Sequence, residues 1–149
     1  MIRIRDYQKR DYEATKDLMK QLLKLYRTDF DEKSWQLTLR HREFSPQQRT
    51  LLAENNGNIV GMCFVDVKWN EIGIIIGSIG NVIVEESQRE RGIATELMNK
   101  AIDILTEMNV DKIKINVNLQ VQDHAIPLFE KMGFSPEYIA MTRTIKKVR

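Results

Sequence analysis

The stretch Val82-Ile83-Val84-Glu85-Glu86-Ser87-Gln88-Arg89-Glu90-Arg91-Gly92-Ile93-Ala94 decides the reading of this chain. Three β-branched residues run into a charged loop, and a helix starts where the loop ends. Downstream, Ala94, Leu97, Met98, Ala101, Ile102, Leu105 and Met108 follow the i, i+3, i+4, i+7 spacing of a helix with one apolar face. A strand that turns through a glycine-containing loop into a helix leaves the first backbone N–H groups of that helix without partners. Those donors and the helix dipole suit a phosphate. Gly92 lets backbone approach a ligand, Ala94 is small, and Arg89 and Arg91 add positive charge. The competing reading is an ordinary strand-to-helix loop with solvated arginines. Two other phosphate motifs are missing: there is no G-x-G-x-x-G and no Gly-Lys-Ser/Thr loop ending.

Working outward, Ile2 and Ile4 alternate with Arg3 and Arg5 as in a short strand. Leu18, Leu22 and Leu25, with Met19 and Tyr26 beside them, give a helix between about Gln8 and Asp29. Residues 30–48 are charged and weakly periodic, which predicts a short helix and a loop ending at Pro46. Thr50 to Glu54 and Asn58 to Trp69 read as strands joined by a tight turn at Asn55-Asn56-Gly57-Asn58. Val60 to Val67 is apolar on both faces apart from Asp66, as expected of a central strand. Ser78 to Val84 is a further strand, fed by the run Ile72 to Gly77. After the long helix, Ile113, Ile115 and Val117 alternate with Lys112, Lys114 and Asn116 in another strand. A short helix from about Asp123 to Met132 stops at Gly133, and residues 137–145 have the alternation of a last strand. The expected fold is α+β, with a mixed, mostly antiparallel central sheet flanked by helices.

At 149 residues the chain is expected to be a single domain, residues 1–149, large enough to bury a core without a disulfide or metal. The net charge of +2 does not argue for nucleic acid. One cysteine, Cys63, excludes an internal disulfide and a cysteine zinc cage, and no metal site is expected. The longest uncharged stretch, Ile72 to Val84, has 13 residues and is too short to span a bilayer. Arg3, Arg5 and Asp6 break any signal-peptide pattern, so a cytoplasmic protein without membrane association is expected.

A second constellation lies downstream, in Ala125-Ile126-Pro127-Leu128-Phe129-Glu130-Lys131-Met132-Gly133-Phe134. Together the two motifs resemble the GCN5-related N-acetyltransferase (GNAT) family. Its loop signature, Arg/Gln-x-x-Gly-x-Gly/Ala, is matched by Arg89-Glu90-Arg91-Gly92-Ile93-Ala94. Its later signature, Ala-x-x-Leu-Tyr-x-x-x-Gly-Phe, is matched at Ala125, Leu128, Gly133 and Phe134. The resemblance covers essentially the whole chain, although residues 1–48 support it only by pattern.

The resemblance implies an acyl-CoA N-acyltransferase fold in which acetyl-CoA, as co-substrate, lies where two parallel strands splay apart. Those strands would be Ser78–Val84 and Lys112–Val117. The pantetheine arm would pair with the backbone of Val82 and Val84, flanking Ile83. The pyrophosphate would sit on the N–H groups of Arg91, Gly92, Ile93, Ala94 and Thr95, beside Arg89 and Glu90. The Val82 N–H would act as oxyanion donor. Asn118 or Gln122 would bond the pantetheine arm, and Phe129 would lie against the cofactor. The implied reaction is acetyl transfer to a primary amine of a small molecule or protein by direct attack. A non-catalytic acyl-CoA-binding or regulatory module is the alternative, and a basic-tailed RNA-associated protein is a distant third. A homodimer is left open.

Phe129 stands where many family members carry the Tyr that protonates the leaving thiolate. A thiol of pKa about 8.5 leaves at pH 7 about 1.5 units uphill, or roughly 2 kcal/mol. An amine of pKa about 10.4 must first lose a proton, at roughly 4.6 kcal/mol. Deprotonating the amine is the larger problem, so loss of the acid weakens the enzyme reading without defeating it. Some relatives place a Glu at the position of Ser78, so the base is sought among Glu85, Asp123 and His124, against solvated loop charges. Tyr138 is a further candidate near the thiol, against a core or surface tyrosine. His41, among Arg40, Arg42 and Glu43, reads as part of a solvated helix face, and Cys63 as an inert core thiol. Trp35, Trp69, Asp29, Asp31 and Glu32 either line an acceptor pocket or decorate the surface. Arg143, Lys146, Lys147 and Arg149 read as a solvated tail.

Overall fold

The computed structural model describes residues 1–146. Its elements run β1 (Ile2–Asp6), a 3-10 turn at Lys9–Asp11, α1 (Tyr12–Leu25), α2 (Glu32–Glu43), β2 (Gln48–Asn55), β3 (Asn58–Trp69) and β4 (Ile75–Val84). After these come α3 (Ile93–Glu107), β5 (Lys112–Ile115) and α4 (Gln122–Lys131). The sheet has five strands in the order β1-β2-β3-β4-β5, antiparallel except where β5 joins β4 in parallel. The chain divides into two compact units, one covering residues 1–114 and a smaller one starting at Ile115.

In the larger unit, alternation along β3 decides which helix covers which face. Met62 and Phe64 face α1 and α2 in a core with Leu18, Leu22, Trp35, Leu39, Leu52 and Ile83. The other parity, starting at Gly61, faces α3, whose Ile93, Leu97, Met98, Ala101, Ile104 and Leu105 are buried. Two glycines set how closely α3 lies. A Cβ at Gly61 would stand 3.1 Å from Leu97 Cδ1, and one at Gly77 2.8 Å from Leu105 Cδ2. A reciprocal pair of bonds aligns the starts of the parallel strands. The Asp111 N–H donates to the Ile75 carbonyl at 2.8 Å, and the Ile75 N–H donates to Asp111 Oδ2 at 2.8 Å. Because β5 ends at Ile115, the later part of β4 extends past it.

The hairpin between β2 and β3 turns at Asn56 and Gly57, both at positive φ, with Asn55 opposite Asn58 as the Asn-Gly signal predicts. Several expectations need correction. Residues 30–48 contain a helix of 12 residues rather than a short one, because Trp35, Leu39 and Arg42 at i, i+4, i+7 all face the sheet. Arg42 therefore belongs to the buried side and not to the solvated face; His41 beside it is exposed. The α3 stripe runs through Ile93 and Ile104, while Ile102 is only half-buried and Met108 caps the helix at 38% exposure. In the smaller unit, residues 137–145 form no strand; Ile139 and Met141 are about nine-tenths exposed. Period-two alternation names a strand only where a neighbouring strand completes the hydrogen-bond ladder. Arg143 and Lys146 are exposed, and the expectation for Lys147 and Arg149 lies outside the described residues.

Two charged networks hold the larger unit. Arg42, 6% exposed, donates to Thr50 Oγ1 at 3.0 Å and to the Arg49 carbonyl at 2.6 Å, pairs with Asp66 Oδ1 at 2.7 Å and lies over the Phe64 ring. Arg5 donates to both oxygens of Asp11 at 2.9 Å and to Glu54 at 3.1 Å, tying β1 and β2 to the turn that starts α1. Asp11 also accepts from the Gln8 N–H at 2.8 Å, and the Arg5 bonds hold its carboxyl below the ordinary carboxylate range. The folded protein therefore takes up this proton less readily than the unfolded chain. The stability that Asp11 contributes is complete above about pH 4 and is lost as pH falls through the folded-state pKa. Asp11→Asn should lower unfolding free energy by about 2–3 kcal/mol at pH 7. In urea titrations this difference should shrink steadily below about pH 4; a difference that persists at pH 2 would assign it to packing rather than charge.

Candidate active site

The end of β4 is irregular in a specific way. Met62 pairs with Ile83 and Phe64 with Gly80, so Asn81 and Val82 together oppose the single residue Cys63. Asn81 takes φ +48, the left-handed conformation that Asn tolerates better than most side chains. A bulge of this type leaves its extra residue out of the ladder and re-aims the backbone. It falls at Val82, the residue implied as the oxyanion donor.

Past the bulge, Ile83 and Val84 are buried, and the loop begins at Glu85. The Glu85 N–H donates to the Val60 carbonyl at 2.8 Å. The Glu85 carboxylate accepts from the Ser87 N–H at 2.8 Å and from the Ser87 hydroxyl, closing a 3-10 turn over Glu86–Gln88. These Ser87 bonds, the hydroxyl first, hold the Glu85 carboxyl below its ordinary value. A carboxylate so capped is a weakened proton acceptor. The Arg89 side chain folds back, its Nε donating to the Val84 carbonyl at 3.1 Å, while Arg91 reaches Gln88 Oε1 at 3.4 Å.

Two residues then take left-handed backbone, Glu90 at φ +66 and Gly92 at φ +78. Gly92 is the N-cap of α3, and a Cβ there would meet nothing within 4 Å. Backbone geometry rather than crowding explains the glycine. The first intrahelical bond runs from the Glu96 N–H to the Gly92 carbonyl at 3.0 Å. The N–H groups of Ile93, Ala94 and Thr95 therefore lie in the helical turn that has no intrahelical acceptors. This is the geometry that receives an anion at a helix start.

In the smaller unit, Asn118 caps a 3-10 turn by accepting from the Gln120 N–H at 2.8 Å, and Gln122 is the exposed first residue of α4. Asp123 and His124 are exposed in the first turn of α4, and Tyr138 is exposed as well. Phe129 packs edge-on against Phe134, with ring centroids 6.2 Å apart. The Phe134 N–H donates to the Phe129 carbonyl at 3.0 Å and the Gly133 N–H to the Glu130 carbonyl at 3.1 Å, with Gly133 at φ +95. This is a Schellman ending with its customary apolar contact, so Phe129, Gly133 and Phe134 of the second motif are a helix stop.

Of the remaining candidates, Ser78 pairs with Asp66 across β3 and is half-buried. Trp35 does not decorate the surface: it is 4% exposed and stacks on Phe64 at 5.8 Å. Trp69 is exposed. Glu32 is engaged by Lys16 at 2.6 Å and by the Tyr12 hydroxyl, and Ser34 donates to Asp31 at 2.9 Å. Cys63 is fully buried and its thiol is pushed up to about 12 by that burial, which makes it the inert core thiol expected. Two features carry no signal in the sequence: the Asn81 bulge, and Gln21 of α1, which accepts from the Glu86 N–H at 3.1 Å. Among the described residues, no group of three His, Cys, Asp or Glu could hold a metal ion, and no helix is long and apolar enough to cross a membrane.

The chain superposes on solved structures over almost its full length. A transcriptional regulator from Bacillus halodurans C-125 matches with TM-score 0.85 at 20% identity, covering 97% of this chain and 100% of that one. AAC(6')-Iy, in complex with the bisubstrate analogue CoA-S-monomethyl-acetylneamine, matches with TM-score 0.84 at 15% identity over 97% and 98% of the two chains. Glucosamine-6-phosphate N-acetyltransferase from Arabidopsis thaliana matches with TM-score 0.79 at 17% identity over 98% and 99%. At these identities the likeness speaks for the fold alone. No curated protein matches the chain in sequence. The profile of the acetyltransferase (GNAT) family matches residues 14–134. With the strand, loop and helix start that its signature demands now in place, the chain belongs to the acetyltransferase (GNAT) family and is an acetyl-CoA-dependent N-acetyltransferase.

Proposed function

We propose that residues 82–95 hold acetyl-CoA, that Val82 assists acyl transfer, and that the whole chain works as one cytoplasmic acetyltransferase domain acting on a primary amine. The observation that carries this reading is the run from the Asn81–Val82 bulge to the left-handed N-cap Gly92, which sets an interrupted strand ladder and a helix start without a side-chain cap at the two ends of one loop. Acetyl-CoA supplies an acyl carbon whose leaving group is a thiolate. The N–H groups of Arg91, Gly92, Ile93, Ala94 and Thr95 would take the pyrophosphate, with Arg89 and Glu90 completing the loop. Val82, Ile83 and Val84 would offer backbone to the pantetheine arm.

The Val82 N–H would receive charge as it develops on the thioester oxygen. Three charge-assisted bonds at roughly 1.5–3 kcal/mol each give about 4.5–9 kcal/mol gross, against an association cost on the order of 4–15 kcal/mol. The two ranges largely cancel, so the loop alone leaves little net affinity and backbone contacts from β4 would add to it. Holding both substrates makes attack by the amine effectively intramolecular, and no covalent enzyme intermediate is required. The amine loses its proton before or during attack, to water or to an exposed carboxylate. Glu85, capped by Ser87, is a poor acceptor for that proton.

Three outcomes test the reading. Acetyl-CoA and CoA should each stabilise the protein by about 2.7 kcal/mol at 100 times Kd, and NAD and ATP much less. No thermal shift at millimolar acetyl-CoA would remove the co-substrate from this loop.

Gly92→Val should remain folded, because nothing crowds the position, yet lose acetyl-CoA binding. Its branched side chain opposes the positive φ, at about 1–2 kcal/mol, and stands where the phosphate must approach. Unchanged affinity in the folded variant, measured by calorimetric titration, would show that the loop is not the phosphate site.

With the amine that reacts fastest in a panel, activity should climb from pH 7 to 9 as that amine deprotonates. Phe129→Tyr should raise kcat no more than about tenfold, since a hydroxyl recovers at most part of roughly 2 kcal/mol. A gain of several hundredfold would instead make the missing acid the real block and describe a CoA-binding module.

A further inference from the structure

The first part of the β4–α3 loop is tied down by bonds near its own start. Glu85 N–H reaches Val60 across the sheet, Ser87 N–H reaches the Glu85 carboxylate, and Gln88 N–H donates to the Glu85 carbonyl at 2.9 Å. Glu86 is different. Its N–H donates to Gln21 Oε1 at 3.1 Å, on α1 and 65 positions away in sequence. Just beyond lie Glu90 at φ +66 and Gly92 at φ +78. A left-handed non-glycine residue costs about 1–2 kcal/mol and persists only where its surroundings over-determine it. On the far side the segment is anchored by α3, which lies on Gly61 and Gly77. On the near side, the contact that crosses from another helix is Gln21.

The geometry points to Gln21 as a positioning residue for co-substrate binding: by holding the Glu86 N–H it presets the loop so that the first-turn N–H groups of α3 meet the pyrophosphate. This rests on the reading above, in which that turn takes the pyrophosphate. Gln21 itself touches no reacting atom; it lowers the ordering cost of the loop at the moment of binding.

The test compares CoA with pantetheine, which lacks the pyrophosphate, by calorimetric titration of the natural protein and Gln21→Ala. CoA should bind Gln21→Ala about three- to tenfold more weakly, the effect of one net hydrogen bond. Pantetheine affinity should be unchanged. Gln21→Glu, which keeps a side-chain oxygen to accept from the Glu86 N–H, should retain more CoA affinity than Gln21→Ala. Equal losses for CoA and pantetheine would overturn the proposal in favour of general loosening, as would unchanged CoA affinity in Gln21→Ala. If the natural protein bound CoA no more tightly than pantetheine, the phosphate reading itself would fall, an outcome visible before any variant is made.

Discussion

The geometry of the β4–α3 loop depends on how closely α3 lies on the sheet. With no side chain at Gly61 or Gly77, Leu97 and Leu105 settle onto backbone, and the axis of α3 is fixed at two points 16 residues apart along the strands' sequence. A helix held this way projects its first turn at a defined place beyond the end of β4. Any added methyl would lift it by a few tenths of an ångström, because fully buried Leu97 and Leu105 have nowhere to retreat. The anion-binding character of the turn is generic to helices. What this fold adds is its position, next to the strand end where the Asn81–Val82 bulge re-aims the backbone.

The opposite sheet face is held by a different device. Arg42 is a buried cation enclosed by Asp66, Thr50, the Arg49 carbonyl and the Phe64 ring, with Trp35 stacked on that ring. Burial pulls its guanidinium down from the usual value and the Asp66 carboxylate opposes that pull. Removing either partner would leave the other charge buried and uncompensated, at several kcal/mol. The cluster therefore fixes α2 over β2 and β3. On the α1 side, Gln21 accepts from the Glu86 N–H of the loop.

Much of this was legible in the sequence, for identifiable reasons. The hairpin at Asn56-Gly57 follows from a local turn rule, the α3 stripe from its 3.6-residue period, and the loop from a short motif with fixed spacing. What escaped was non-local. Arg42 reads as one more charge in a charged segment, and only the sheet beneath α2 makes it buried. The bulge at Asn81 is a mismatch between two strands, and neither strand shows it alone. Gln21 and Glu86 are joined across 65 positions without a motif. Residues 137–145 fail in the other direction, since their alternation is real but they form no strand. The second motif is part signature and part helix stop, because Gly133 and Phe134 complete the Schellman ending of α4.

The central claim is that CoA is held by backbone N–H groups at the start of α3 and at the β4 bulge. Amide chemical-shift mapping during titration with CoA measures this directly. The largest shifts should fall on Val82, Arg91, Gly92, Ile93, Ala94 and Thr95, with the Ile93–Thr95 amides moving downfield as they gain an anionic acceptor. Saturable binding that leaves those amides unmoved while others shift would contradict it.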